Sequence, residues 1–397
     1  MPRLLSVEDA LARILEHAQP LGLEPVAVSS AVGRVLRESA ASRVDLPPFP
    51  SSAMDGFAVR AADTPGDLPI AYRVAAGTPA PRPLPAGAAA GISTGGAVPE
   101  GADAVVPVEV AEDRGDDVAI PEAVESGRHV RPRGGDVREG DPVVPPGTRL
   151  GPAHVGALAA TGIAEVVCSR RPRAVVLATG SELREADSAL GPGQIYESNR
   201  AMVAAVLAGA NAEVEVLPVV EDDPAAHRAA LERGLEADVL VTSGGVSMGE
   251  HDLVRGTAAE LGVREVFWGV AVKPGKPLSF GIRGATLVFG LPGNPVSSLV
   301  GALVFVAPAL LALQGAADPR PRYLSGVTAA PLLRNPQRDE FVRASRRDDG
   351  EVVRLEPIVG QESHMIARAA AADSLVHVPS GEGEIAAGSV VRFLPLD

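Results

Sequence analysis

The two lysines carry the sharpest chemical signal in this sequence. Among 36 lysines and arginines, only Lys273 and Lys276 are lysine, set close together in Lys273-Pro-Gly-Lys276-Pro. An ammonium is a compact, strongly hydrated point charge, whereas a guanidinium is a planar fork. Two ammoniums fixed by prolines around a glycine suit a phosphate or another oxyanion. The competing explanation is a surface turn in a sequence that has otherwise drifted to arginine.

Loops of small and polar residues follow three apolar strand candidates. The first contains Thr179, Gly180, Ser181 and Glu182. The second runs from Thr242 through Ser243, Gly244, Gly245 and Ser247 to Asp252. The third holds Pro292, Gly293, Asn294, Pro295 and Ser297. Glycine lets backbone N–H groups approach a phosphate closely, and a helix start favours negative charge there. Each loop alone reads as an ordinary turn; three on one sheet edge, with the lysines, read as a binding site. Glu182, Asp222 and Asp252 lie in or beside these loops and would repel a phosphate unless a divalent cation stood between them. Mg²⁺ takes one or two carboxylates, waters and substrate phosphates. Asp222-Asp223-Pro224 also has the form of a helix cap followed by proline at the first helical position, so one of the two aspartates has that role. Asp252 precedes a predicted helix and has the same alternative.

Two further strings place single carboxylates. In Pro47-Pro-Phe-Pro-Ser-Ser-Ala-Met-Asp-Gly56 the prolines stiffen the run that leads to Asp55 in a tight turn. Asp136 follows Arg131-Pro-Arg-Gly-Gly in another glycine turn. Gly245-Val-Ser247-Met-Gly249 matches a nucleophile elbow, with Asp339 and His364 in the order a hydrolase triad needs. A serine hydrolase has no use for three anion loops, and these partners fall in a β-rich tail. A P-loop fails at Gly269, one position from where its first glycine belongs, and at Pro277, where Ser or Thr would bind Mg²⁺.

The elements that must position these residues give an α/β multidomain chain. Strand candidates Val175–Ala178, Val214–Val220, Val239–Thr242 and Thr286–Phe289 alternate with helices at Asn199–Ala208, Pro224–Glu236 and Asp252–Leu261. That alternation predicts a three-layer α/β domain with a mostly parallel sheet over 171–318. Ligands of such sheets bind at the carboxyl ends of the strands. Residues 46–132, rich in proline and glycine with short strands, read as a β-rich inserted domain; 1–45 and 133–170 then form one mixed N-terminal domain. Five short strands after Pro319 predict a small C-terminal β-barrel.

Composition narrows the class. A net charge of -14 argues against a general nucleic-acid or acidic-membrane surface. Cys168 is the single cysteine, so no intramolecular disulfide forms, which fits a reducing compartment. No secretory signal is visible in the opening residues, which read as an amphipathic helix; a cytoplasmic location is expected. The uncharged stretch around Leu299–Leu313 is short for a membrane span and holds Pro308, so a core helix is expected.

Taken together, Pro-Pro-Phe-Pro-Ser-Ser-Ala-Met-Asp-Gly, Thr-Gly-Ser-Glu-Leu, Ser-Gly-Gly-Val-Ser-Met-Gly, Lys-Pro-Gly-Lys-Pro and Leu-Pro-Gly-Asn-Pro-Val-Ser resemble the molybdopterin molybdenumtransferases, the MoeA and gephyrin E-domain family. The resemblance spans essentially the whole chain. It implies an elongated homodimer of four-domain subunits whose active-site cleft is shared between them. It also implies Mg²⁺-dependent insertion of molybdate into adenylated molybdopterin, with release of AMP, and transient contact with other molybdenum cofactor biosynthesis proteins. On this resemblance Glu182, Asp222 and Asp252 are functional acids that hold Mg²⁺, and Lys273 and Lys276 bind anions. Asp55, Thr94 and Asp136 reach the partner's cleft, and Arg343 and Ser363 are oxyanion contacts in the barrel. Many relatives carry another lysine where this chain has Gly269, which leaves one positive charge fewer. Within the same fold, an adenylyl-transferring or nucleotide-cleaving enzyme is the alternative, but it would not need the N- and C-terminal domains. A receptor-clustering scaffold, a role of the gephyrin relative, would need a long linker and a second module.

Overall fold

A computed structural model describes residues 4–220, 223–245, 253–348, 350 and 352–396. At its centre is a six-stranded sheet in the spatial order Glu213–Val216, Arg173–Ala178, Val239–Ser243, Thr286–Leu291, Ser279–Arg283 and Arg264–Trp268. The strands as far as Thr286–Leu291 run parallel, and the two at the far edge are antiparallel. The inner parallel strands Arg173–Ala178, Val239–Ser243 and Thr286–Leu291 are largely apolar and buried because helices cover both faces. The edge strand Glu213–Val216 instead alternates glutamate and valine and is mostly exposed. Val175, Leu177, Leu240 and Val288 pack with Leu231 and Leu235 at the end of the helix Pro224–Gly234 and with Val254 and Ala258 of the helix Leu253–Glu260. Val176, Val241 and Phe289 face the other way, toward Val203 and Leu207 of the helix Asn199–Gly209.

The uncharged segment ends in one helical run. Pro295–Gly301 and Ala307–Leu313 are α-helical and a π-helical turn, Ala302–Val306, joins them. The run is long and apolar enough to cross a membrane, yet 72% of its most apolar window is buried inside the fold. It serves the core, where Val300, Phe305 and Leu310 are fully buried.

The opening helix, Val7–His17, is capped by Ser6, whose Oγ accepts the Asp9 N–H at 3.0 Å. Sequence periodicity gives this helix but not its partner. Its buried face, Ala10, Leu11 and Ile14, joins the α/β core rather than the N-terminal unit expected over 1–45. Leu21 N–H donates to Leu313 O, which fixes the helix against the end of the long run. A separate core unites Val26, Val28 and Leu36 with Val144, Leu158, Val166 and Cys168. The strands Leu23–Ala27 and Glu165–Ser169 pair antiparallel within it, so the chain leaves this core and returns to it. Burial also pushes the Cys168 thiol up, as suits an inert, packed cysteine. Between the two passes, a six-stranded sheet runs from Ala104–Pro107 at one edge to Glu112–Asp113 at the other.

Beyond the α/β layers, Asp339–Asp348, Val353–Pro357, Leu324–Thr328, Val390–Pro395 and Ser374–Val378 close into a 5-strand barrel. The short strand Val272–Lys273 pairs in parallel with Asp339 and Glu340 at the start of the first of these strands. The first lysine of the pair is thereby tied into the barrel sheet.

At the opposite end of the parallel strands, Arg170 grips Asp238 through two bonds of 2.7 Å, and the Arg173 N–H adds one of 2.8 Å. Burial raises the Asp238 carboxyl, but these donors outweigh it and hold the group below its ordinary value. A depressed acid stabilises the fold above its unfolded value, and that contribution is lost as pH falls through the lower folded value. Asp238→Asn should cost about 2 kcal/mol at neutral pH and flatten the acid limb of the unfolding curve below about pH 3.9. Circular dichroism across an acid titration reads this directly; an unchanged limb removes the Arg170–Asp238 pair from the account.

Candidate active site

The parallel strands deliver their carboxyl ends side by side, and glycines let the loops that follow nest against one another. Thr179 N–H donates to Ser243 O at 3.2 Å, and Gly244 N–H donates to Leu291 O at 3.0 Å. Gly244 has φ +90°, and a Cβ there would lie 2.9 Å from Thr179 O. Gly245 has φ +65°, where a Cβ would meet Val254 Cγ2 at 2.3 Å. A Cβ at Gly293 would lie 3.8 Å from Gly244 Cα, within ordinary contact. The three predicted loops thus meet over one sheet edge, close enough that side chains at Gly244 and Gly245 are excluded.

A buried polar network locks the meeting point. Asn199, at the start of its helix, donates through Nδ2 to Ser243 Oγ at 2.8 Å and to Gly293 O at 2.7 Å. Ser243 Oγ lies 3.3 Å from Ser298 Oγ, and Ser298 Oγ donates to Pro292 O at 2.5 Å. Asn199 itself is positioned by Glu197, whose Oε1 accepts the N–H groups of Asn199 and Arg200. Arg200 is buried, which works against its charge, but Glu185 and Glu197 more than compensate and raise its pKa. Asn199, Glu197 and Arg200 escaped sequence reasoning. The only signal was an asparagine one position after Ser198 at a predicted helix start.

Glu182 is exposed in the first loop, with its carboxylate folded over Gly180. Ser181 O accepts from Arg184 Nη1 at 3.0 Å. Asp222, Asp252 and Ser247 lie outside the described residues. Asp223 resolves the ambiguity at its end of the pair: its Oδ2 accepts the Ala226 N–H at 2.8 Å, which caps Pro224–Gly234. Asp339 does not pair with His364. Its Oδ2 lies 2.9 Å from His377 Nε2 and its Oδ1 accepts the Ser380 N–H, so the triad expected of a hydrolase is not assembled there.

The lysine turn lies against the third loop. Gly275 has φ +117°, and a Cβ there would lie 3.6 Å from Ser297 O. Val270 N–H donates to Lys276 O, which closes the turn independently of the lysine side chain. Lys276 is exposed and its Nζ has no partner among the described residues. Lys273 Nζ, in contrast, is bonded to Glu340 Oε1 at 3.0 Å. Gly269 has φ +88° and faces Leu4 at 2.7 Å from a Cβ position, so a lysine there would be strained unless the opening segment moved.

The barrel meets the same helix start. Ser363 Oγ accepts from Asn294 Nδ2 at 2.9 Å, and Ser363 O accepts the Val296 N–H at 3.0 Å. Pro295 is the first helical residue after the Asn294 cap, and Ser297 is buried behind it. Arg343, expected to contact an oxyanion, is instead fully buried. Its Nη1 donates to Met365 O at 2.6 Å, and its Nη2 to Gly360 O at 2.7 Å and Glu362 O at 3.2 Å. The guanidinium holds the loop that carries Ser363 and presents no face to a ligand.

Asp55 and Thr94 come together elsewhere, since Thr94 N–H donates to Asp55 Oδ1 at 2.8 Å. Asp136 is exposed, and its N–H bonds Leu46 O at 2.9 Å. Its turn is braced by Asp45, which accepts from Glu139 N–H and from Arg133; these two donors hold the Asp45 carboxyl below the usual range. Ser51–Ser52 pairs with Val130–Arg131, so the proline string and the Asp136 turn run side by side. No hydrogen bond or strand pairing among the described residues ties Asp55, Thr94 or Asp136 to the α/β loops.

Known proteins share this combination. Residues 5–162 match the MoeA N-terminal region (domain I and II), 175–312 a probable molybdopterin binding domain, and 325–396 the MoeA C-terminal region (domain IV). The chain is 37% identical to molybdopterin molybdenumtransferase 2 of Mycobacterium tuberculosis, with 98% of each chain covered. It is 33% identical to the molybdopterin molybdenumtransferase of Haemophilus influenzae, with 99% of each covered. The solved molybdopterin biosynthesis MoeA protein of Pyrococcus horikoshii OT3 superposes with a TM-score of 0.83 at 28% identity, over 99% of this chain and 100% of that one. With three family regions matched in succession and more than 30% identity over nearly the whole of these relatives, this chain belongs to the molybdopterin molybdenumtransferase family.

Proposed function

We propose that this protein is a molybdopterin molybdenumtransferase that inserts molybdate into adenylated molybdopterin and releases AMP, in molybdenum cofactor biosynthesis. The observation that carries this reading is the convergence of the three strand-end loops, stitched by Asn199 to Ser243 and Gly293, beside the lysine turn. Loop N–H groups and lysines are donors suited to molybdate and to a phosphate link. Lys276 presents an ammonium that has no partner among the described residues, and Ser363 brings the barrel to the same helix start.

The donors on this edge are oxygen atoms, which suit a hard cation. Glu182, with Asp222 and Asp252, would hold Mg²⁺, which when bound polarises the bridging phosphate. Around it, Thr179, Ser181 and the Gly244-Gly245 backbone orient the phosphates, and Lys273 and Lys276 hold the oxyanion. No serine or cysteine of the chain needs to act as a nucleophile, since the thiolates that receive the metal belong to the pterin.

In this reading the protein is a cytoplasmic homodimer, and Asp55, Thr94 and Asp136 complete the partner's cleft. The likeness of the Asp55 and Asp136 strings to the family's own supports supply across a dimer. The four-part division is retained, with the opening helix assigned to the α/β unit. Other cofactor biosynthesis proteins meet it transiently, and neither nucleic acid nor membrane is a partner. Incubation with adenylated molybdopterin, molybdate and Mg²⁺ should yield AMP and active cofactor; a protein that yields neither is not this enzyme.

A further inference from the structure

The lysines differ in one respect that the turn sequence does not reveal. Lys276 is unpaired among the described residues, while Lys273 shares its ammonium with Glu340 at 3.0 Å. The backbone enforces that pairing. Val272–Lys273 runs parallel to the start of Asp339–Asp348 with Lys273 opposite Glu340, and Asp339 N–H donates to Ala271 O. The Glu340 side chain is 15% exposed against 51% for Lys273, so the carboxylate sits on the inner side and the ammonium at the mouth. Both line a cleft of about 200 Å³ between the lysine turn and the barrel, which Gln361 and Glu362 line as well. Gln361 is held in place there by bonds in both directions with the Arg343 backbone.

We propose that Glu340 is a positioning residue that sets how strongly Lys273 binds an oxyanion. This rests on the reading of the lysine turn as the anion site. Glu340 holds Nζ at the mouth of the cleft and offsets its charge, so an arriving oxyanion shares the ammonium with a carboxylate. Binding that is merely tight lowers KM without raising kcat. A transferase that must give up its anion is served by a tempered lysine, and Glu340 supplies the tempering.

The test is calorimetric titration of sodium molybdate into the full-length protein. Glu340→Gln should tighten molybdate binding by roughly fivefold, the size of a partly exposed ion pair, and KM for molybdate should fall with it. Glu340→Asp, which keeps the charge, should stay within about twofold of the parent. In a Lys273→Ala background the effect of Glu340→Gln should vanish, a coupling that a purely structural glutamate would not produce. If Gln at 340 prevents folding, Glu340→Ala serves in the same cycle. Unchanged or weaker binding in Glu340→Gln, with Lys273→Ala still weakening it, overturns the role of Glu340 alone. Unchanged binding in Lys273→Ala overturns the lysine as an anion ligand, and this inference with it.

Discussion

Lys276→Ala is expected to cut molybdate affinity by at least about tenfold, since a charge-assisted hydrogen bond contributes on the order of 1.5–3 kcal/mol. AMP release at subsaturating molybdate should fall in parallel, while the thermal midpoint stays unchanged. The separation of the two readouts follows from the geometry. The turn is closed by Val270 N–H and Lys276 O, which alanine retains. The ammonium has no partner among the described residues, so its removal leaves no buried charge stranded. Compensation from neighbours is limited: Lys273 is already engaged by Glu340, and Gly269 faces Leu4 in a conformation that disfavours a side chain. Lys276→Arg should also impair turnover, because a planar fork does not occupy the place of a compact ammonium. Thermal melts run beside AMP assays decide the matter. A destabilised Lys276→Ala protein with full AMP release would make the turn structural.

What the sequence disclosed follows from how local each signal is. The buried parallel strands and the cores of the barrel strands were legible because their apolar runs are bounded by turn residues. The strand expected over Val214–Val220 stops at Val216, and the one read at Glu340–Ala344 runs over Asp339–Asp348. The antiparallel strands Arg264–Trp268 and Ser279–Arg283 were not legible, because they mix charged, small and aromatic residues. Gly281 even allows close approach of Val263 and Arg264, a reason for glycine that only the neighbouring strand explains. The glycine loops declared themselves through composition. The network that holds them did not, since Asn199 bonds partners 44 and 94 positions away. The opening helix shows the same limit: period 3.6 marks its apolar face but not the core that receives it. Arg343 inverted the expectation for the same reason, because charge alone does not say whether a guanidinium faces ligand or backbone.

That inversion makes Arg343 the position where a substitution should damage the fold most. Its side chain is fully buried at the barrel strand Asp339–Asp348, and burial pulls the guanidinium below its ordinary pKa. An arginine stays charged even so, and its hydrogens go to the backbone carbonyls of Gly360, Glu362 and Met365. Alanine would leave those acceptors unsatisfied beside a cavity, a loss of about 3 kcal/mol or more. The Ser363 loop would loosen, and with it the bonds to Asn294 and Val296 that dock the barrel on the α/β helix start. Arg343→Ala should therefore lower the urea midpoint and raise KM for molybdate together. Arg343→Met restores much of the volume without the donors, so it should recover only part of the stability. If Arg343 were a ligand contact, alanine would weaken molybdate binding and leave the urea midpoint where it was. Urea unfolding of both variants, paired with molybdate titration, separates a loop-holding arginine from a ligand-binding one.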